Sequence, residues 1–202
     1  MHPNPAFRGT PEGEALRFAR ERGFATLIAN GAGVPFIAAA PFVLAPDGAA
    51  AALHLLRSNP LARALPARVT MVVSGPDGYV SPDWYGAPDQ VPTWNYVAVH
   101  LSGPAEALPE AALRPHLDAL SAAFEARLDK APWTSAKMTP GVMERMMRSL
   151  VAVRVRIEAV ASTAKLNQNK PPDVRHAAAG RIEGGLGHEL AALAALMRAV
   201  PD

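Results

Sequence analysis

The sequence predicts an α+β fold that is mainly β: a six-stranded antiparallel barrel with helices at both ends and one helical insertion. Two observations lead to this fold class. About six short apolar or alternating segments are bounded by Gly, Pro, Asn and Asp turn signals. These segments do not alternate regularly with helices, which argues against a doubly wound parallel sheet. We expect a single domain over residues 1–202, with the insertion at 108–150 and a helical tail at 171–202.

The first elements are a helix and a β-hairpin. Thr10 has the character of an N-cap, and Gly23 of a C-terminal stop. The apolar run 24–29, the turn signal at Asn30-Gly31 and the run 34–44 predict two antiparallel strands.

The middle of the chain predicts further strands. A third strand is expected over 50–56, followed by a short helix up to about residue 65. A strand over 68–74 is expected to end in a turn at Gly75-Pro76-Asp77-Gly78, with a short strand stub and then a longer strand over 94–103.

The last elements are more helical. Leu113, Leu117, Leu120 and Phe124 recur at helical spacing, which predicts a helix over 113–128, and a shorter helix is expected over 141–150. Clean alternation over 151–158 predicts a half-buried antiparallel strand. A polar segment and an apolar helix over 187–200 follow.

Composition excludes several classes of protein. The net charge of +2 is too small to indicate a nucleic-acid surface, although the sequence pI is about 9.2. There is no cysteine, hence no disulfide or thiolate chemistry. The N-terminus lacks the pattern of a secretion signal, and no apolar stretch has membrane-spanning length. We expect a soluble cytoplasmic protein without membrane contacts.

The segment His54-x-x-Arg57-x-Asn59-Pro60 is the first candidate site. A strand that leads into a helix start offers free N–H groups to an anion, and Arg57 adds a forked cationic donor. The alternative is that Asn59 merely caps the helix and Arg57 is a solvated charge.

The segment Trp94-Asn95-Tyr96 is the second candidate. Two large aromatic residues at a strand start can stack on a planar ligand, or pack under a loop. An amide between them, at Asn95, favours the ligand-binding interpretation.

The segment Lys165-x-x-Gln168-Asn169 is the third candidate. Its cation and amides offer donors and acceptors for a phosphate, a ribityl chain or the edge of a heterocycle. A solvated loop before Pro171-Pro172 is the alternative.

No catalytic residue stands out. The six histidines show no metal-ligand spacing, so we expect no metal site. Nucleophile motifs, phosphate-binding loops and dinucleotide fingerprints are absent from the sequence. Any redox reaction would therefore depend on a cofactor.

Taken in order, four motifs resemble the PaiB-type family of FMN-binding split-barrel proteins, often described as negative transcriptional regulators. The motifs are His54-Leu55-Leu56-Arg57-Ser58-Asn59-Pro60, Gly75-Pro76-x-x-Tyr79-Val80-Ser81-Pro82-x-Trp84-Tyr85, Val91-Pro92-Thr93-Trp94-Asn95-Tyr96-x-x-Val99-His100 and Lys165-Leu166-Asn167-Gln168-Asn169.

The resemblance implies a six-stranded split barrel that works as a homodimer, with FMN at the subunit interface. It implies that Arg57 and the helix start at Asn59-Pro60 hold the phosphate. Trp94, Asn95 and Tyr96 would approach the flavin. In the dimer that the resemblance implies, they can do so from the partner subunit. Lys165, Gln168 and Asn169 would close the pocket over the polar parts of FMN.

The chain departs from the family pattern at two places. Ala38-Ala39-Ala40-Pro41 stands where the family commonly has Ser/Thr-His-Leu-Pro, and Asp77-Gly78 stands where it tends to have His-Ala. We hypothesise that these changes weaken flavin affinity or admit a different ligand.

Three functions remain open at this point. The leading hypothesis is a cytoplasmic FMN-binding protein of this family, with either a regulatory role or a minor flavin-dependent redox activity. The second is a cofactor-free structural dimer, which the alanine run favours. The third, a repressor that binds DNA directly, is disfavoured because no helix-turn-helix pair with a basic recognition helix is apparent.

Overall fold

The structure is a computed structural model that describes residues 2–201. The helices are α1 (Glu12–Arg22), α2 (Pro60–Arg63), α3 (Leu113–Glu125), α4 (Val142–Met147), α5 (Pro172–Ala179) and α6 (Leu190–Ala199). The strands are β1 (Phe24–Ala29), β2 (Phe36–Leu44), β3 (Ala50–Leu56), β4 (Ala67–Val80), β5 (Thr93–Ala107), β6 (Leu150–Arg156), β7 (Ala159–Lys165) and β8 (Gly187–His188). Among these residues, no helix combines the length and the apolar character that crossing a bilayer requires.

Six of the strands close into a ring. The sheet order is β7-β5-β6-β3-β2-β1-β4-β8, and an additional pairing of β5 with β4 closes the circuit of β5, β6, β3, β2, β1 and β4. The pairings of β1 with β2 and β4, of β3 with β2 and β6, and of β5 with β6 are antiparallel. The six-stranded antiparallel barrel is thus confirmed, as is the first hairpin.

The described chain divides into two compact units. The barrel unit consists of Leu16–Val73 and His100–Val160. The terminal unit draws its described residues from Met1–Ala15, Ser74–Val99 and Ala161–Asp202. The paired residues of β1 with β2 and β4, of β3 with β2 and β6, and of β5 with β6 all lie within the barrel unit.

Alternating side chains fill the core of the barrel unit. Leu27, Leu53 and Met71 are fully buried, each on a different strand. Helix α3 packs on β2, β3 and β6, and the ring of its Phe124 lies 2.7 Å from where a Cβ of Gly23 would stand. Gly23 has a φ of +60°, so glycine serves here both as the end of α1 and as the space into which α3 docks.

The terminal unit has its own apolar cluster. It includes Val80, Tyr85, Ile182, Leu193 and Met197, which come from the end of β4, a 3-10 turn at Pro82–Tyr85, a second such turn at Ile182–Gly184 and α6.

The turn predicted at residues 75–78 is wrong, because β4 continues without a break to Val80. Gly78 is buried, and methyl groups of Leu190 and Leu193 lie 2.8 Å and 3.0 Å from where its Cβ would be. The glycine therefore marks the close packing of α6 on the strand rather than a turn.

The polar segment expected after residue 158 is also wrong. It contains β7, whose small and polar side chains hide the alternation that identifies a strand, and then α5. The final helix begins at Leu190, three residues later than predicted, because Gly187 and His188 pair with β4 instead.

Candidate functional site

Arg57 lies exposed where β3 ends, in the barrel unit. Its backbone N–H donates to the carbonyl of Ser149 (2.8 Å), and its Nε donates to the carbonyl of Arg148 (3.1 Å). Within residues 2–201 the two terminal nitrogens have no hydrogen-bond partner, so the outer part of the guanidinium is available to an anion.

The helix start beside Arg57 is satisfied by the protein itself. The side-chain oxygen of Asn59 accepts a hydrogen bond from the N–H of Leu61 (2.9 Å), and Pro60 has no N–H. Helix α2 has only four residues. Asn59 therefore acts as an N-cap, and we assign any phosphate contact to Arg57 and not to the helix end.

His54 pairs with a second imidazole rather than standing free. Its Nδ1 lies 3.2 Å from Nε2 of His116 on α3, and the two rings meet edge-on. Burial lowers the pKa of both histidines, and the neighbouring His54 contributes to lowering the pKa of His116 to about 4. Both rings are neutral at pH 7, and the pair joins α3 to β3.

Trp94 is the accessible aromatic residue of the terminal unit. The residue is 44% exposed, and its Nε1–H donates to Oδ1 of Asp77 (3.0 Å). The ring of Tyr79 lies 6.3 Å away at an angle of 60°. Because its polar atom is already bound, the indole offers a fixed apolar surface for a planar ligand.

Lys165 fixes the start of β5. Its Nζ donates to the carbonyl of Trp94 (2.8 Å) and to the hydroxyl of Thr93, and it lies 6.0 Å from the centre of the Phe7 ring. Burial lowers the pKa of the ammonium group. An ammonium has three donors, so one remains for a ligand.

Asn95 points into the terminal unit instead of toward a surface. It is fully buried, and its Nδ2 contacts Sδ of Met197 at 3.5 Å. Its Oδ1 has no partner among the described residues. Tyr96, the next residue, is half-buried. We therefore leave Asn95 out of the groups that we propose to contact a ligand.

Gln168 uses both ends of its amide for local structure. Its Oε1 accepts from the N–H of Leu166 (2.7 Å), and its Nε2 donates to the carbonyls of Ala164 (2.5 Å) and Ala6 (3.2 Å). Asn169 is exposed, and no side-chain hydrogen bond within residues 2–201 occupies it. In this tract Gln168 shapes the turn, while Asn169 remains accessible.

Asn167 precedes Gln168 in the same motif and is buried. No role is predicted for it from the sequence alone. It has a φ of +62°, and its Oδ1 accepts a hydrogen bond from the hydroxyl of Tyr85 (3.3 Å). Burial raises the pKa of Tyr85, which keeps the phenol protonated as the donor.

Sequence reasoning missed Asp77 and His188. The Nδ1 of His188 lies 3.1 Å from Oδ2 of Asp77, so the carboxylate that binds the indole also binds an imidazole. The two residues are 111 positions apart and meet as register partners of β4 and β8. No local sequence signal indicates such a contact, and a turn was expected at Asp77.

The predicted site residues fall into two groups, one in each unit. In the barrel unit, His54 lies near the end of β3 and pairs with His116, while Arg57 and Asn59 lie in the β3–α2 connection. Of these three residues, Arg57 is the one that offers a charged donor without a partner within residues 2–201. In the terminal unit, Trp94 and Lys165 are joined by a hydrogen bond.

Comparisons with known proteins show the family of this chain. Residues 1–159 match a family described as "Putative FMN-binding domain". The chain is 30% identical over 168 residues to the protease synthase and sporulation protein PAI 2 of Bacillus subtilis (strain 168), which covers 81% of this chain and 80% of that protein.

Solved structures resemble the fold. An FAD and heme binding protein from Mycobacterium smegmatis aligns with a TM-score of 0.58 and 20% identity, covering 89% of this chain and 81% of that one. A conserved hypothetical protein from Mycobacterium tuberculosis aligns with a TM-score of 0.56 and 20% identity, covering 82% and 92%.

Each unit, taken by itself, offers a group of a kind that binds part of a phosphorylated flavin. A phosphate requires a cationic donor that the protein does not already use, which describes Arg57. A tricyclic ring requires an exposed, fixed apolar surface, which describes Trp94. The chain therefore belongs to the PaiB-type family of FMN-binding split-barrel proteins, and FMN is its cofactor.

Proposed function

We propose that this protein is a PaiB-type regulator that binds FMN as a homodimer. The observation that carries the proposal is the exposed indole of Trp94, which a hydrogen bond to Asp77 holds in place. Family membership supports the ligand, and the name of the Bacillus relative, which refers to protease synthesis and sporulation, supports a regulatory role.

Each residue is assigned by its own chemistry. Arg57 binds the phosphate, and Trp94 supports the ring by stacking. Tyr96, Lys165 and Asn169 supply the remaining polar contacts. When bound, FMN supplies one- and two-electron redox chemistry, and the protein contributes binding and orientation. No residue described here is assigned as a general acid or base.

Direct DNA contacts are not part of the proposal. Two exposed arginines of β6 each contact a carboxylate: Arg154 binds Glu106 (3.0 Å from Nε to Oε1), and Arg156 binds Glu158 (2.7 Å). These pairs reduce the positive field that a phosphate backbone needs. We expect no gel shift with double-stranded DNA at physiological salt, and a shift that persists there would contradict this assignment.

The proposal is tested by titrating the purified protein with FMN while following flavin fluorescence, with the solution mass measured by light scattering. We expect a dimer that binds FMN. R57A should weaken binding about 10- to 100-fold, because charge-assisted hydrogen bonds are worth about 1.5–3 kcal/mol.

R63A is the matched control for R57A. Arg63 is also exposed, lies on α2, and should leave FMN affinity unchanged. A dimer that does not bind FMN would overturn the proposal and support a cofactor-free structural dimer. Equal affinities of R57A and R63A would remove Arg57 from the site.

A further inference from the structure

The carboxylate of Asp77 holds two different side chains at once. Trp94 donates from Nε1 to Oδ1 (3.0 Å), and Nδ1 of His188 lies against Oδ2 (3.1 Å). The side chain of Asp77 is 28% exposed, while that of His188 is 83% exposed. Indole and imidazole are therefore neighbours on one accessible face of the terminal unit.

Backbone pairing brings His188 to this position. His188 and Gly187 are register partners of Asp77 and Gly78, and the N–H of Tyr79 donates to the carbonyl of Leu186 (2.8 Å). At Gly187, φ is +145° and a Cβ would stand 2.2 Å from the carbonyl oxygen of Asp77. Only glycine permits this close approach, so the imidazole is placed by the fold and not by chance.

The hydrogen bond to Asp77 fixes the chemistry of the ring. A carboxylate only accepts, so Nδ1 carries the hydrogen and donates it. Nε2 lies on the opposite side of the imidazole and belongs to an exposed side chain. It is therefore free to accept from a ligand N–H or, when protonated, to donate to a carbonyl.

We propose that His188 contacts the edge of the planar ring that lies on Trp94, and that Asp77 is the positioning residue for both. The flavin ring carries N–H and carbonyl groups along one edge, which are the partners that Nε2 requires. This inference rests on the proposed function. It adds a ligand contact from β8, a strand that none of the residues assigned above belongs to.

The experiment compares dissociation constants for FMN and for riboflavin, which has the same ring without the phosphate. H188A should weaken both ligands about 5- to 10-fold, as expected for the loss of one hydrogen bond. H188Q keeps a donor and an acceptor and should lie between H188A and wild type. D77N should weaken both ligands as well, because an amide nitrogen cannot accept from the indole or imidazole.

The controls separate a ring contact from other effects. H176A removes another exposed histidine of the terminal unit, on α5, and should change neither constant. Unchanged thermal midpoints of the ligand-free H188A and H188Q proteins show that the fold is intact. R57A should weaken FMN but not riboflavin, because it acts on the phosphate.

Each outcome decides the matter. Wild-type affinity in H188A for both ligands overturns the contact and leaves the proposed function standing. Weakening of FMN alone overturns the ring contact in favour of a phosphate contact. Failure of the wild-type protein to bind either ligand overturns the proposed function and this inference together.

Discussion

The two units differ in what they bury. Of the five buried polar or charged residues within the described chain, only His116 lies in the barrel unit. The other four, Asn95, Thr163, Asn167 and Arg175, lie in the terminal unit. The buried side-chain atoms of Asn95 and Asn167 that lack a partner are there too.

The two units are therefore stabilised in different ways, one by apolar packing and one with polar groups in its interior. In the barrel unit the closed ring pairs the strand backbones, and apolar side chains fill the space, so stability follows from packing. In the terminal unit, buried amides fix the local geometry at a cost in desolvation. The terminal unit, whose interior includes buried polar side chains that cost desolvation free energy, is also the unit that contains Trp94 and Lys165.

The largest expected effect comes from the core of the barrel unit. Leu53 is fully buried on β3 and pairs with Phe42 on β2. L53A should lower the free energy of unfolding by about 2–5 kcal/mol through lost burial and a residual cavity. Denaturant unfolding followed by circular dichroism measures this change.

I37A is the matched control for L53A, since Ile37 is 62% exposed on the neighbouring strand β2. Its effect should stay within about 0.5 kcal/mol. Comparable losses in the two variants would contradict the assignment of the ring interior as the main core.

A smaller effect comes from the one buried polar residue of the barrel unit. The folded-state pKa of His116 is about 4, while an unfolded histidine has a pKa near 6.5. Between these values the unfolded chain binds more protons, so stability falls as the pH drops from about 6.5 toward 4 and is fully present above that window. The complete loss is about 3 kcal/mol.

H116Q removes this titration, so the wild-type protein should lose stability relative to H116Q across the same window. H176Q, at an exposed histidine, should follow the wild-type profile. Parallel pH profiles of the wild-type protein and H116Q would show that protonation of His116 does not oppose folding.

The smallest effect has the opposite sign and concerns the terminal unit. N95L replaces a fully buried amide, whose oxygen has no partner among the described residues, with an apolar side chain of similar size. The free energy of unfolding should rise by about 1 kcal/mol. N169A, at an exposed amide, should change it little. A loss of about 2 kcal/mol in N95L would mean that water satisfies the amide oxygen in solution.

Sequence reasoning predicted most of the barrel unit because its strands follow a period of two. On β6, Val153 and Val155 are buried while Arg154 and Arg156 are exposed, as the alternation indicates. Helix α3 follows its spacing of leucines equally well. The failures lie where a glycine has two meanings, as at Gly78, or where small side chains remove the alternation, as in β7.

The candidate site was harder to predict because residue type does not reveal which atoms are already bound. Arg57 and Asn59 are neighbours in one motif, yet Asn59 caps a helix and Arg57 keeps free donors. Gln168 offered an amide in sequence and uses it entirely on the backbone. The contact of Asp77 with His188 depends on a pairing across 111 positions, which no local pattern encodes.

The pairing of Gly187 with β4 has a consequence for tracing His188 among relatives. Any side chain at position 187 would collide with the backbone of Asp77 and displace the following residue, even if that residue remained histidine. A histidine at position 188 can therefore contact Asp77 in this way only when glycine occupies position 187. A glycine-histidine pair near the C-terminus, combined with an acid at position 77, is the signature that distinguishes relatives with this contact from those without it.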